Sequence, residues 1–252
     1  AKIIQIDADG KMLGLVKPIS VGINGDAKEA AAALLAKLKT RDVACIKNKA
    51  ERDTTIKGEK ATWEEELTSW THEKDPYSID MIKDSKAMHP REMLRAIENA
   101  LPKNSIVSTD IGNICSVSNS YLRFDEPRSM LAAMSFGNCG YAFPVAVGAK
   151  IASPNRPVFA YVGDGAWGIS LNELLTCARE KIGVTVILFN NGQWGAEKKN
   201  HVDFYSRRYQ GVELVNPSWA AVAKSFGCEG VTVDKVGDIG AAIQAAVKNQ
   251  AE

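Results

Sequence analysis

Along the 252-residue chain, short saturated apolar runs alternate with longer stretches of mixed character. Val158-Phe159-Ala160-Tyr161-Val162 is unbroken, β-branched and aromatic, the pattern of a strand buried on both faces. Leu171 to Ala178 follows with helical patterning, and Val184 to Phe189 is a second saturated run. Ile106 to Ser108 and Gly230 to Val233 read as further strands. Helices are expected near Tyr141 to Ala152, Ile169 to Lys181, Pro217 to Phe226 and Val236 to Asn249. This alternation predicts an α/β fold built on a doubly wound parallel sheet.

The pattern divides the chain into three regions. Residues 1–40 carry a strand at Lys2 to Ile6, a turn at Asp9-Gly10, a second strand near Ile19 to Ile23 and an alanine-rich helix from Asp26 to Lys39. So short a stretch buries too little apolar surface to stand alone, and it is expected to be the end of a second α/β domain. Residues 41–87 are charged and poorly periodic and read as a connecting arm. Trp63 and Trp70, seven residues apart, share a helical face there and are expected as apolar anchors. His89-Pro90 then opens a helix from Arg91 to Ala100, with proline where no N–H is needed. Residues 88–252 form the sheet domain.

The candidate chemistry lies where the first saturated run ends, at Gly163-Asp164-Gly165-Ala166. Glycines at a strand-to-helix turn let backbone N–H groups approach an anion, and the helix dipole adds positive potential. Phosphate is therefore expected at Gly165 and Ala166. The second run ends in Asn190-Asn191, on the same edge of a parallel sheet, so Asp164 and Asn191 can converge. With a main-chain carbonyl from Gln193 and phosphate oxygens, they form the hard oxygen set that Mg²⁺ prefers. Gly163-Asp164-Gly165-Ala166-Trp167-Gly168 also fits a dinucleotide-binding turn, but no acidic residue ends the next strand to hold a ribose. Charge favours the metal: a carboxylate about 4 Å from a phosphate is opposed by roughly 4 kcal/mol at an effective dielectric near 20, and a bridging cation reverses the sign. An ordinary α/β turn with no ligand is the remaining alternative.

Composition narrows the classes. With 45% hydrophobic residues, 24% charged residues and a net charge of +1, the chain has the make-up of a globular protein and offers no electrostatic case for nucleic acid. No apolar run of about 20 residues suggests a membrane span, no signal peptide is evident, and a cytoplasmic location is expected. Cys45, Cys115, Cys139, Cys177 and Cys228 are scattered without C-x-x-C spacing and read as reduced thiols, mostly small buried hydrophobes.

The Gly-Asp-Gly to Asn-Asn pairing resembles the signature of thiamine diphosphate enzymes. Ser108-Thr109-Asp110-Ile111-Gly112-Asn113 is similar to their upstream phosphate loop, and Gly137-Asn138-Cys139-Gly140-Tyr141 to the segment that holds the aminopyrimidine. The resemblance implies thiamine diphosphate and Mg²⁺ as cofactors, with Asp164 and Asn191 binding the metal by side chains and Gln193 by its carbonyl. It implies a cofactor shell of Ile111, Gly112, Asn113, Gly137, Asn138, Cys139, Gly163, Gly165, Ala166 and Asn191. Within that shell Gly165 and Ala166 donate to the diphosphate, Gly112 and Asn113 close over it, and the Gly137 carbonyl accepts from the aminopyrimidine. Cys139 stands where relatives carry a larger apolar wedge that bends the cofactor. The glutamate that activates the cofactor is expected on a pyrimidine-binding domain outside this chain, which is therefore expected to be a fragment or one of two polypeptides.

Within the superfamily, Ala133 to Pro144 and Gln193 to Asn200 resemble the sulfoacetaldehyde acetyltransferases of taurine degradation more closely than the acetolactate synthases. That branch implies conversion of sulfoacetaldehyde and phosphate to acetyl phosphate and sulfite by a homo-oligomer, a dimer or a tetramer. The alternatives are an acetolactate synthase-like decarboxylating enzyme and a non-catalytic cofactor-binding subunit. Anionic substrates draw attention to Lys198, Lys199, Arg207 and Arg208. For each of these a solvated surface charge is the simpler expectation, as is a solvent-facing His201.

Overall fold

The computed structural model describes residues 2–41, 49–69 and 87–250. It divides into two compact units, Ala1–Thr62 and Trp63–Glu252, with the division falling inside one long helix.

In the first unit β1 (Ile4–Asp7) pairs in parallel with β2 (Val21–Asn24), Ile4 opposite Val21 and Asp7 opposite Asn24. The Asp9-Gly10 turn is a short 3₁₀ helix over Gly10–Met12, capped by the Asp9 carboxylate. Asp26 caps α1 (Ala27–Lys39) by accepting from the N–H groups of Lys28 and Glu29, which satisfies two of the donors a helix start leaves open. No residue of α1 is buried.

α2 (Lys49–Ser69) occupies much of the stretch expected as a connecting arm. Within the second unit its end is anchored differently from expectation. Trp63 is 45% exposed, whereas Leu67 is buried and its carbonyl accepts from the Tyr121 hydroxyl. Glu64 pairs with Arg95 and Arg123. Leu67 and Glu64 thus do what was expected of the tryptophan; Trp70 lies outside the described residues.

The second unit is a four-stranded parallel sheet in the order β4-β3-β5-β6, formed by β3 (Ile106–Thr109), β4 (Met130–Ala132), β5 (Val158–Gly163) and β6 (Thr185–Phe189). The saturated run of β5 has its reason in this order, because Val158 to Val162 are all 0% exposed in the middle of the sheet. Val158, Ala160 and Val162 join a cluster on one face with Ala142, Phe143 and Ala146 of α5 (Ala142–Ala152). Phe159 and Tyr161 join the other with Leu94 and Ile97 of α3 (Pro90–Ala100) and Ile239 and Ile243 of α10 (Ile239–Asn249). Helices on both faces of a parallel sheet make the unit an α/β doubly wound fold, as the pattern predicts.

Three expectations need correction. Gly230 to Val233 forms no strand among the described residues; Val233 is apolar because it packs on the second cluster, while Val231 is 75% exposed. The helix expected over Ile169 to Lys181 is broken: α6 (Asp164–Ser170) starts directly after β5, a 3₁₀ turn covers Leu171–Glu173, and α7 (Leu174–Glu180) ends on Lys181 at φ +54°. β4 and the helices α4 (Asn113–Ser118) and α8 (Gly195–Phe204) add elements the pattern does not show. Between α8 and α10 lies α9 (Trp219–Ser225), capped by Ser218.

Candidate functional site

Strand order points to a crevice before any side chain is considered. From β3 the chain crosses to β4 on one side, and β5 returns to the other side of β3. Open α/β sheets bind ligands at such a switch point, beyond the carboxyl ends of the strands. The segments there are Asp110 to Asn113 after β3 and Gly163 to Ala166 after β5.

After β5, Gly163 caps α6 and Asp164 is its first residue, 3% exposed. The first N–H groups of a helix have no partner within it, so Gly165 and Ala166 present donors at the sheet edge. Gly165 is constrained from outside: a Cβ there would lie 2.8 Å from indole carbons of Trp194. The turn therefore admits glycine because the Trp194 ring lies against it.

After β6, Asn190 and Asn191 lead into Gly192, at φ +67°, and Gln193. The Asp164 Oδ2 accepts from the Gly192 N–H at 2.8 Å, which ties the turn after β5 to the loop after β6. A third segment joins them. The Asn216 amide donates to Asp164 Oδ2 at 2.6 Å and to Asn190 Oδ1 at 2.7 Å. Asn191 does not touch Asp164 by hydrogen bond; its Oδ1 accepts from the Gln193 N–H at 3.3 Å. The side-chain oxygen of Gln193 is engaged by Lys198 Nζ at 2.8 Å.

Lys198 departs from the expected solvated charge. It is 3% exposed, pairs with Glu213 at 2.9 Å and lies 5.1 Å from the Tyr209 ring centroid. A buried ammonium needs such partners. His201 is half-buried between Tyr205 and Tyr209, not solvent-facing. Arg207 and Arg208 are exposed, and Lys199 pairs with Asp203 one helical turn on.

At the other side of the crevice Gly112 caps α4 at φ +128°, a conformation that favours glycine. Asn113 opens α4 and is exposed. The Ile111 carbonyl accepts from Cys139 Sγ at 3.6 Å, so two segments of the expected shell meet there. Gly137, at φ +78°, is held by its own loop through its N–H to the Ala133 carbonyl at 2.7 Å, beside half-buried Asn138. Asp110 organises this loop without having been singled out from the sequence. It is 0% exposed, and its Oδ1 accepts from the Tyr141 N–H at 2.8 Å and the Ala142 N–H at 3.1 Å. Burial pushes the Asp110 carboxyl above the usual carboxylate range, against the lowering effect of its backbone donors. Burial, with the negative charges of Asp110 and Glu197, also raises the Cys139 thiol.

The donors fit a metal–diphosphate group in chemical type. One carboxylate, asparagine amides and main-chain groups suit Mg²⁺ and phosphate; Asp164 Oδ1 carries no hydrogen bond among the described residues. Those residues contain no group of three or more His, Cys, Asp or Glu that could hold a metal ion, so any metal here relies on amide, main-chain and ligand oxygens around Asp164.

Residues 110–251 match the thiamine pyrophosphate enzyme, C-terminal TPP binding domain, family. The chain belongs to that family. It is similar to sulfoacetaldehyde acetyltransferases of Castellaniella defragrans, 55% identical over 99% of this chain and 43% of the relative, and of Alcaligenes xylosoxydans xylosoxydans, 56% identical over the same shares. The acetolactate synthase large subunit of Corynebacterium glutamicum is 28% identical over 98% of this chain and 38% of its own length. The chain thus spans less than half the length of these curated relatives. Among solved structures, the thiamine diphosphate-dependent 4-hydroxybenzoylformate decarboxylase of Rhodococcus jostii RHA1 superposes with a TM-score of 0.61 at 24% identity, over 66% of this chain and 32% of that one. That likeness supports the fold.

Proposed function

We propose that this chain is the diphosphate- and Mg²⁺-binding part of a thiamine diphosphate-dependent acetyltransferase that converts sulfoacetaldehyde and phosphate to acetyl phosphate and sulfite. The observation that carries the metal reading is the tie between Asp164 and the β6 loop through Gly192 and Asn216. Relatives support the substrate: the sulfoacetaldehyde acetyltransferases of Castellaniella defragrans and Alcaligenes xylosoxydans xylosoxydans are 55% and 56% identical to this chain, the acetolactate synthase large subunit of Corynebacterium glutamicum 28%.

In this reading Asp164, Asn191 and the Gln193 carbonyl hold the metal, and Gly163, Gly165 and Ala166 receive the diphosphate at the start of α6. Ile111, Gly112 and Asn113 close over it. Gly137, Asn138 and Cys139 support the pyrimidine end. The cofactor, when bound, supplies an electron sink for carbon–carbon and carbon–sulfur chemistry; this chain orients it and shields its charged end. The activating glutamate comes from a pyrimidine-binding domain outside these residues. The regions 1–40, 41–87 and 88–252 are then the end of a central domain, a connecting arm and the diphosphate domain of a cytoplasmic dimer or tetramer. No described helix is long and apolar enough to cross a membrane.

The test is a product assay on the whole protein with thiamine diphosphate, Mg²⁺, sulfoacetaldehyde and phosphate. Sulfite release that requires phosphate, with acetyl phosphate formed in step, is expected. Acetolactate from pyruvate without sulfite release overturns the substrate assignment.

A further inference from the structure

We infer that Asn216 is a positioning residue for a divalent cation, setting the orientation in which Asp164 meets the metal. The inference rests on the reading of Asp164 as a metal ligand, and its evidence is the pattern of donors around one carboxylate.

Residues 212–216 run beside the loop that follows β6. The Trp194 N–H donates to the Val212 carbonyl and the Leu214 N–H to the Gly192 carbonyl, each at 2.8 Å, while Gln193 bridges Glu213 in antiparallel register. Three residues past Glu213, Asn216 reaches Asp164 Oδ2 at 2.6 Å and Asn190 Oδ1 at 2.7 Å. A side-chain amide nitrogen carries two hydrogens, so it serves both acceptors. The Gly192 N–H reaches the same Oδ2 at 2.8 Å.

Both donors to the carboxylate therefore converge on Oδ2. No hydrogen bond among the described residues falls on Oδ1. Two donors on one oxygen fix the carboxylate plane and commit that oxygen, leaving Oδ1 with lone pairs for a cation. The same amide holds Asn190, the neighbour of the second expected ligand Asn191, so it sets the spacing of the two strand ends as well as the angle of one.

The test uses the whole protein that carries this chain, stripped of metal by chelation, with Mn²⁺ titrated by electron paramagnetic resonance in the presence of thiamine diphosphate. Asn216→Ala is expected to raise the Mn²⁺ concentration at half-saturation by about tenfold or more, the scale for losing a residue that orients a metal ligand. Asn216→Asp keeps the shape but sets two carboxylates against each other. Its unfolding midpoint is expected to gain more from Mn²⁺ than the parent's. An Asn216→Ala protein binding Mn²⁺ within about twofold of the parent, inside ordinary scatter between variants, overturns the inference. So does an Asn216→Asp midpoint that gains no more than the parent's. Asp164→Ala separates the two levels: if it binds Mn²⁺ like the parent, the metal reading falls and this inference with it. If it loses Mn²⁺ while Asn216→Ala does not, only the role of Asn216 falls.

Discussion

The Asn216 amide lies 2.6 Å from the Asp164 carboxylate across 52 residues of sequence. This contact changes what removing Asp164 should do. Judged by side-chain volume, Asp164→Ala deletes a ligand and little else. In the structure it also strips the acceptor from the Gly192 N–H and from one hydrogen of the Asn216 amide, both partly buried, and a donor left unpaired there costs up to the about 1–3 kcal/mol of a fully buried group. Asp164→Ala is therefore expected to lose Mg²⁺-dependent cofactor binding and to unfold earlier even without metal. Asp164→Asn, which keeps an oxygen acceptor, should lose metal affinity with a smaller fall in stability. Calorimetry of the metal-free proteins and Mg²⁺ titration with thiamine diphosphate distinguish the two effects. Equal stability losses in both variants would show that these two donors do not depend on that oxygen.

Gly165 and Trp194 make a second linked pair. A methyl group at Gly165 would sit 2.8 Å from three indole carbons, too close for the ring to stay. Gly165→Ala is expected to cost about 1–3 kcal/mol, the range for overpacking. Trp194→Ala in the same chain should recover part of that loss by opening the space. Urea unfolding of the two single variants and the double variant gives the coupling directly. Strictly additive losses would mean that the ring yields without resistance.

Much of the fold was legible where local signals and tertiary environment agree. β5 is saturated because both its faces are covered, and Asp26 and His89 are polar because they cap helices. The misreadings share a cause: side chains whose role is set by distant contacts. Gly230 to Val233 has strand composition but packs as a loop, and the three residues of β4 are too few for a period. α8 carries Gly-Ala-Glu-Lys-Lys-Asn-His with no apolar stripe, and its Lys198 is buried by Glu213, Gln193 and Tyr209, contacts invisible in a charged run. Asn190 to Gln193 could be found from their place after a saturated strand. Asn216 could not, since Asn-Pro after Val215 signals only a turn. Asp110 sits inside a recognised motif, yet nothing in the sequence says that its carboxylate faces the backbone of Tyr141 and Ala142.

Asp110 makes stability depend on pH in a definite direction. Its folded pKa is raised above the ordinary aspartate value, mainly by burial. Its contribution to stability is then fully present below the unfolded pKa, near 3.9, and is lost as pH rises through the folded value. Asp110→Asn retains an oxygen for the two backbone donors and has no charge to desolvate. The stability of the variant relative to the parent is therefore expected to improve from below pH 4 towards neutrality, read by urea unfolding at a series of pH values. A relative stability that worsens over that interval would mean that the Tyr141 and Ala142 donors outweigh burial and favour the anion.

Cys139 bears on whether the segment after Gly137 offers chemistry or shape. Its thiol lies against the Ile111 carbonyl, and burial raises its pKa, with Asp110 and Glu197 adding repulsion to the thiolate. Since the thiolate is the reactive form, Cys139 should resist alkylation at neutral pH and label only as pH climbs past the range of an ordinary thiol. Peptide mapping after timed iodoacetamide treatment follows this site separately from Cys177 and Cys228, whose thiols burial also raises. Glu197→Gln removes the smallest of the three contributions and should speed labelling slightly. Cys139→Ser should leave thiamine diphosphate binding within about twofold, because a shielded neutral thiol would contribute only bulk and one weak contact, to the Ile111 carbonyl, in the proposed cofactor shell. Rapid labelling at neutral pH would instead identify a thiolate, and the segment would then carry reactivity in addition to its packing role.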